Sequence, residues 1–409
     1  MTPGPVAQRM EHLAAVAAPV LRFLTTSRWA RRDPAEPVCD FVVGNPHEMP
    51  LTEFVEAMQR WTPPQSQDWF AYKMSEPSAC EVVAESLRAR HGLPFTADDV
   101  LMTNGAFAGL SVALQAVCDP GDEVVFISPP WFFYETLIAS VDATPVRVKV
   151  HPHTFDLDLD AIEAALTPRT RAIIINSPHN PTGKIYPAET LQELGRRLQA
   201  ASQRAGRPIY ILSDEAYSRI VFDGRTYPSP TRFYDHTILI YTYGKVLLTP
   251  GQRVGYLALT PTMPDKGQVY QALMLAQLIT GYAWPNALLQ HALADLERAS
   301  IDIAHLQDKR DRLVAGLRHL GYEVTLPEGT FYALARSPWT DDLAFLDLLA
   351  EYGVYCLPGA VIEMPGYFRI SLTASDEMID RALPGFGAAL EQATQPAPVP
   401  DLQRPLWGV

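Results

Sequence analysis

The chain has 409 residues, 47% of them hydrophobic, and its 46 acidic and 33 basic side chains give a net charge of -13. That length and apolar content suffice for one large and one smaller core, while the acidic balance excludes the basic face a nucleic-acid partner requires. No stretch reaches the roughly 20 uncharged apolar residues of a membrane span, and Cys39, Cys80, Cys118 and Cys356 have no metal-ligand spacing, so we expect reduced thiols in a cytoplasmic protein, with no bound metal.

From the N-terminus, residues 7–32 around MEHLAAVAAPVLRFL have helical spacing and read as a dimer-contact or lid helix. No basic segment precedes the apolar stretch, and Arg9 and Glu11 lie close by, so no signal peptide is expected. Seven apolar runs rich in Val and Ile then predict strands: VLMTN (100–104), EVVFIS (123–128), PVRVKV (145–150), RAIIINS (171–177), IYILSDEA (209–216), TILIYT (237–242) and VGYLALT (254–260). LDLDAIEAAL and PAETLQELGRRLQAASQ, which lie between strands, have helical spacing with acids in their first turns. Strands alternating with helices predict an α/β fold whose seven-stranded, mostly parallel sheet is sandwiched by helices.

Residues 262–320 turn helical and end in DKRDRLVAGLRHLGY, a long amphipathic helix leading out of the sheet. EVTLPEGTFYALA (323–335), DDLAFLDLLAEYGVYCLPG and FRISLT then predict a smaller α+β lobe, which the N-terminal segment joins. The expected layout is a large domain over 51–300, a small domain from 1–50 and 301–395, and a proline-rich tail over 396–409 that is extended or disordered. HPH at 151–153 reads as a turn, since no third metal ligand follows at useful spacing.

In open parallel sheets, ligands bind beyond the carboxyl ends of the strands. Here Asn104-Gly105, Trp131, Asn180, Asp214 with Tyr217, and Thr242 with Lys245 all follow strands. NSPHNPTGK (176–184) in isolation is a strand-to-helix turn. Asp214 ends an apolar strand, where a lone carboxylate costs several kcal/mol unless it meets a cation or strong donors. It could cap the following turn, or accept from a protonated heterocyclic nitrogen. Its neighbour Glu215 points to the opposite face, so the two carboxylates cannot share a proton. Lys245 is the only charged side chain between 237 and Arg253. A lysine in such a loop commonly snorkels to the surface, but an amine in apolar surroundings loses its proton readily and becomes a nucleophile toward carbonyls. Arg253 follows a Gly-Gln kink and is placed to hold a phosphate bidentately.

NSPHNPTGK, SDEAY, YTYGKVLLTPGQRVGY and FRISLTA, in that order, resemble the pyridoxal-phosphate-dependent aminotransferases of class I and II, which have the aspartate-aminotransferase fold, fold type I. The match runs from about Gly44 to Ser371. The resemblance implies pyridoxal 5'-phosphate as cofactor, with Lys245 forming the Schiff base and moving the proton at the substrate. It implies that Asp214 pairs with the ring N–H, that Asn180 and Tyr217 bond the ring 3-oxygen, and that Trp131 stacks on the ring. The phosphate would sit on the first N–H groups of a helix at Gly105, Ala106 and Phe107, with Thr242 and Arg253 completing the cage. Tyr72 would reach the phosphate of a partner subunit, making the active form a homodimer with shared sites. Arg369 would clamp the substrate carboxylate through two parallel donors, with Gly44 and Asn180 beside it.

Aspartate-selective bacterial members of the resembled family carry a lysine where this chain has Phe107, and animal-type members use an arginine from the partner. The matching segment, ITGYAWPNALLQ, offers Trp284 and no basic residue. The expected reaction therefore moves an amino group between a neutral, hydrophobic or aromatic L-amino acid, favoured over aspartate, and a 2-oxo acid. Trp131, Phe132, Phe133, Tyr243 and Trp284 are the candidate aromatic surroundings. A lyase, or an amino-acid oxidase or cyclase of the same fold, is the alternative, because bond choice at Cα follows substrate torsion. Gly244 before the lysine, where serine or alanine is common, and a short PGAVIEMPGYFR loop keep it open. A cofactor-binding regulatory sensor is disfavoured, since residues 1–40 are too short and too weakly basic for a DNA-binding module.

Overall fold

The computed structural model describes residues 5–33 and 35–395, so the expected tail lies outside the described residues. In chain order the strands are β1 (Cys39–Asp40), β2 (Val100–Thr103), β3 (Glu123–Ser128), β4 (Thr144–Lys149), β5 (Thr170–Asn176), β6 (Tyr210–Asp214), β7 (Thr237–Thr242), β8 (Gly255–Leu259), β9 (Val324–Thr325), β10 (Tyr332–Arg336), β11 (Val354–Tyr355), β12 (Leu357–Pro358) and β13 (Tyr367–Ser371). β2 to β8 are the seven strands expected from the sequence, and they form one sheet ordered β2-β8-β7-β6-β5-β3-β4. Neighbours run parallel except β8, which is antiparallel to both β2 and β7.

The apolar runs are continuous because helices cover both faces: every residue of β3 and of β7 is buried. The edge strand β4 shows the contrast. Its sequence TPVRVK mixes proline and charge with Val, and only Val148 is buried, which suits an edge that must not pair further. Helix Ala106–Val117 carries no charged residue and buries most of its surface between the sheet and helix Lys266–Ile279. It can lie this close because position 109 is glycine, where a Cβ would come within 3.0 Å of Ile240 Cγ2. Helix Ala188–Ala205 packs Leu191, Leu194 and Leu198 against the other face and stops at left-handed Gly206.

The second lobe holds an antiparallel sheet ordered β12-β13-β10-β9. β1 pairs in parallel with β11. Helices Ile303–Leu320 and Asp376–Thr394 are N-capped by Asp302 and Ser375 and close over a core containing Phe41, Phe331, Phe345, Phe368 and Phe386. The helical pattern at 7–32 is three helices, Gln8–Val16, Ala18–Thr26 and Arg28–Arg31, because the chain turns around Ala17 with Pro19 in the second helix's first turn. Ala17, Val20 and Phe23 pack with sheet residues and with Val361 and Ile362, so the N-terminal helices bridge the two lobes.

β8 passes so close to its neighbours that a Cβ on Gly255 would lie 2.2 Å from the Tyr241 carbonyl oxygen and 2.9 Å from Gly105 Cα. Both obstacles are backbone, so neither can rotate away. Gly255→Ala should therefore destabilise the protein by about 2–3 kcal/mol, read as a lower urea midpoint at unchanged slope. An unchanged midpoint would contradict this packing.

Candidate active site

The parallel strands β3, β5, β6 and β7 all end at one edge of the sheet, and a cavity of about 170 Å³ opens there. Ala106, Phe107, Trp131, Asn180, Asp214, Tyr217, Thr242, Lys245 and Arg253, all named from the sequence, line it. Gly105 adjoins it with φ +83°, and a Cβ there would lie 2.7 Å from Arg253 Nη2 and 3.2 Å from Thr242 Oγ1. Three separate segments thus converge on one small space. Helix Ala106–Val117 begins at that space without a side-chain cap, leaving its first N–H groups as free donors.

Asp214 is only 6% exposed. Its Oδ2 accepts a 2.6 Å hydrogen bond from the Tyr134 hydroxyl and its Oδ1 a longer one, 3.3 Å, from the Ala216 N–H. Burial pushes its pKa above the ordinary carboxylate value, although Tyr134, the Ala216 N–H and the charge of Lys245 all pull the other way. Tyr134 is itself raised well above the usual tyrosine value, by burial and by the adjacent carboxylate, so it stays a donor. The carboxylate is thus fixed in place yet short of positive charge. A cationic N–H in the cavity is the partner that would settle it.

Lys245 sits on a short helical turn, Tyr243–Val246, that begins where β7 ends. Its Nζ lies 5.6 Å from the ring centroids of both Tyr217 and Phe331. The turn is pinned from below, where the Ile301 N–H donates to the Val246 carbonyl at 2.8 Å. The loop after β5 is held by Asn176, whose Oδ1 accepts from the Asn180 N–H at 2.8 Å and whose Nδ2 donates to the Asp214 carbonyl at 2.9 Å. Below it, burial lowers His179 to about 3, so its ring is neutral and Nδ1 pairs with Thr182 Oγ1 at 2.8 Å.

Arg369, on β13, is 2% exposed. Nη1 donates to Asn180 Oδ1 at 2.9 Å and Nη2 to the Val42 carbonyl at 3.0 Å, while Nε is buried with no partner. A buried guanidinium held by neutral acceptors is an anion site in waiting. Gly44 is obligatory beside it, since a Cβ would lie 2.6 Å from Phe331 Cε2 and 2.7 Å from the Tyr332 hydroxyl. Tyr72 stands apart from the cavity of its own chain. It is 84% exposed and packs on Trp284, 49% exposed, with ring centroids 4.8 Å apart.

The family model for aminotransferase class I and II matches residues 36–386. The chain belongs to the class I and II aminotransferases. A probable aspartate/prephenate aminotransferase of Thermus aquaticus is 31% identical over 348 residues, 83% of this chain and 88% of that one. A tyrosine aminotransferase of Caenorhabditis elegans is 27% identical over 371 residues, 85% of this chain and 77% of the other. The solved structure of an amino transferase from Eubacterium rectale superposes with a TM-score of 0.84 at 30% identity, covering 97% of this chain and 100% of that one. The α/β architecture expected from the sequence is thus that of the fold type I aminotransferases.

Three residues of this aminotransferase cavity escaped sequence reading. Tyr134 stood three places after Trp131, and Asn176 opened a quoted motif, so both were in view without a role. Tyr332 had no local signal at all, because only the pairing of β10 with β13 brings it to Arg369.

Glu215 turns away from Asp214 as alternation requires and accepts from Ser213 and Ser229 hydroxyls at 3.0 and 2.6 Å. Burial pushes it up to about 7, against those two hydroxyls and the charge of Arg90. The unfolded chain ionises this group near the ordinary carboxylate value while the fold keeps it protonated, so its contribution to stability falls as pH rises between those values. Glu215→Gln should therefore be more stable than the parent at pH 8, by about 3 kcal/mol, with the gain vanishing near pH 4. Urea titrations at the two pH values check this, and an equal gain at both would refute it.

Proposed function

We propose that this chain is a homodimeric, pyridoxal-phosphate-dependent aminotransferase that moves an amino group from a neutral, hydrophobic or aromatic L-amino acid to a 2-oxo acid. The observation that carries the reading is the pairing of one amine, Lys245, with one buried carboxylate, Asp214, in a single cavity that ends at Gly105, Thr242 and Arg253. The donor set fits the cofactor at both ends. Asp214 lacks positive charge where a ring N–H would lie, and the cradle at Gly105 has room only without a Cβ, beside free helix N–H groups and a guanidinium suited to phosphate. When bound, the cofactor supplies an electron sink that weakens the bonds at the substrate Cα.

The chain's own residues do the rest. Lys245 Nζ takes the proton from the substrate Cα and returns it on the far side of the transfer. Asp214, held in place by Tyr134, would keep the ring nitrogen protonated, Asn180 and Tyr217 would donate toward the ring oxygen, and Trp131 would cover the ring. Arg369, with Gly44 beside it, fixes the substrate carboxylate, and the second lobe that carries both excludes water as it closes.

Substrate preference rests on the aromatic wall. Phe107 packs edge-on to Trp131 at 4.9 Å and stacks on Phe133 at 5.3 Å, and no positive charge among these rings matches a second carboxylate. The exposed rings of Tyr72 and Trp284, with exposed Phe70, Leu275, Leu278 and Ile279, support a dimer in which each chain lends aromatic groups to the other's cavity. The tyrosine aminotransferase relative supports the same preference. Free cysteines Cys39, Cys80, Cys118 and Cys356 support a cytoplasmic setting, and among the described residues no helix is long and apolar enough to cross a membrane.

The purified protein should be yellow, and Lys245→Ala should abolish turnover. Asp214→Asn should keep the fold and cut kcat by roughly 100-fold or more. A panel of amino donors against 2-oxoglutarate and pyruvate, following both keto acid and ammonia, tests the reaction itself. Phenylalanine or tyrosine should exceed aspartate in kcat/KM by about 10-fold or more, and Phe107→Lys should narrow that gap. Aspartate as the best donor would end the specificity reading, and stoichiometric ammonia release would point to elimination.

A further inference from the structure

Tyr332 takes no part in the mechanism above, yet two parts of the cavity lean on it. In the β10–β13 pair Tyr332 lies opposite Ser371 and Leu334 opposite Arg369. Tyr332 and Arg369 are therefore diagonal neighbours on one sheet face, within reach for long side chains. The guanidinium carbon sits 3.8 Å above the Tyr332 ring centroid. At its other end the phenol oxygen lies 2.7 Å from where a Cβ on Gly44 would stand, and the Tyr217 ring is 5.9 Å away. The whole residue is 4% exposed.

We propose that Tyr332 is a positioning residue of the carboxylate subsite: its ring holds Arg369 flat for contact with the substrate carboxylate. The inference rests on the aminotransferase reading of the cavity. A planar guanidinium stacked on an aromatic face in a desolvated site loses its freedom to tilt, so its plane stays fixed beside Asn180, which lines the cavity. The charges facing Tyr332 agree. Burial works to raise its pKa, but the positive charges of Arg369 and Lys245 outweigh it and hold Tyr332 below the ordinary tyrosine value. Tyr217, buried and next to both Tyr332 and Asp214, is pushed well above it. A carboxylate seated on Arg369 cancels the first of those charges and so moves Tyr332 back toward the ordinary tyrosine value.

The test uses the holoenzyme, Tyr332→Phe and Tyr332→Leu, with 3-phenylpropanoate as an unreactive monocarboxylate. Calorimetry gives its dissociation constant, and ultraviolet difference titration follows tyrosine ionisation. In the parent, one tyrosine should ionise below the ordinary range, and saturating 3-phenylpropanoate should move that step upward. Tyr332→Phe should lose the step while binding the carboxylate within about 3-fold of the parent, because the stacked ring is kept. Tyr332→Leu should weaken binding by about 10-fold or more. Binding by Tyr332→Leu within about 2-fold of the parent, or a low step that persists in Tyr332→Phe, overturns the inference. If Tyr332→Leu does not fold, the titration of Tyr332→Phe decides alone. A parent that binds no carboxylate overturns the Arg369 assignment together with this one, whereas a parent without a visible absorption band overturns the cofactor reading independently.

Discussion

A carboxylate almost without water, at the end of the central strand β6, sets the conditions for everything around it. Removing Asp214 from solvent costs several kcal/mol unless positive charge or strong donors are supplied. The fold supplies some: the Tyr134 hydroxyl, the Ala216 N–H and the distant charge of Lys245. These do not fully offset the burial, so the site is electrically incomplete without a ligand. The same logic holds at Arg369, a buried cation held only by neutral acceptors. Asp214 lines the cavity, and Arg369 reaches its wall at Asn180, so two charges of opposite sign, on different lobes, lie close to one space.

Much of this was legible in the sequence, for physical reasons. A strand buried on both faces has to be a continuous apolar run, so β3, β5, β6 and β7 announced themselves, and the polar residue ending each run marked the ligand edge. β4 was legible too, as the run PVRVKV, while its place at the edge shows only in the strand order. What escaped depends on pairing between distant segments. Two-residue strands such as β1 and β11 have no period to detect. The contact between Tyr332 and Arg369 follows from the register of β10 against β13, which no local pattern encodes. The N-terminal region read as one helix because its apolar spacing continues through Ala17, whereas the break there is set by packing against both lobes.

The lobes are joined most tightly where the chemistry is. Arg369 reaches from β13 to Asn180 in one lobe and to the Val42 carbonyl in the other. Nearby, the Gly183 carbonyl accepts from the N–H groups of Glu328 and Gly329, and Lys184 pairs with Glu328 at 3.6 Å. Segments near residues 42, 180, 330 and 369 must all be in place before Arg369 is held as it is.

The reversed direction of β8 has a further result. β7 and β8 are antiparallel, with Thr242 opposite Gly255, so the chain leaves the sheet edge and returns to the same edge within one short excursion. Lys245 and Arg253 both ride on that excursion, like two fittings on a single strap. Had β8 run the other way, a crossover would have carried the arginine to the opposite end of the sheet. Because one hairpin carries both groups, any fluctuation that frees Lys245 also loosens Arg253. Its amides should accordingly exchange with solvent as a single cooperative unit, slower with the cavity filled than with it empty.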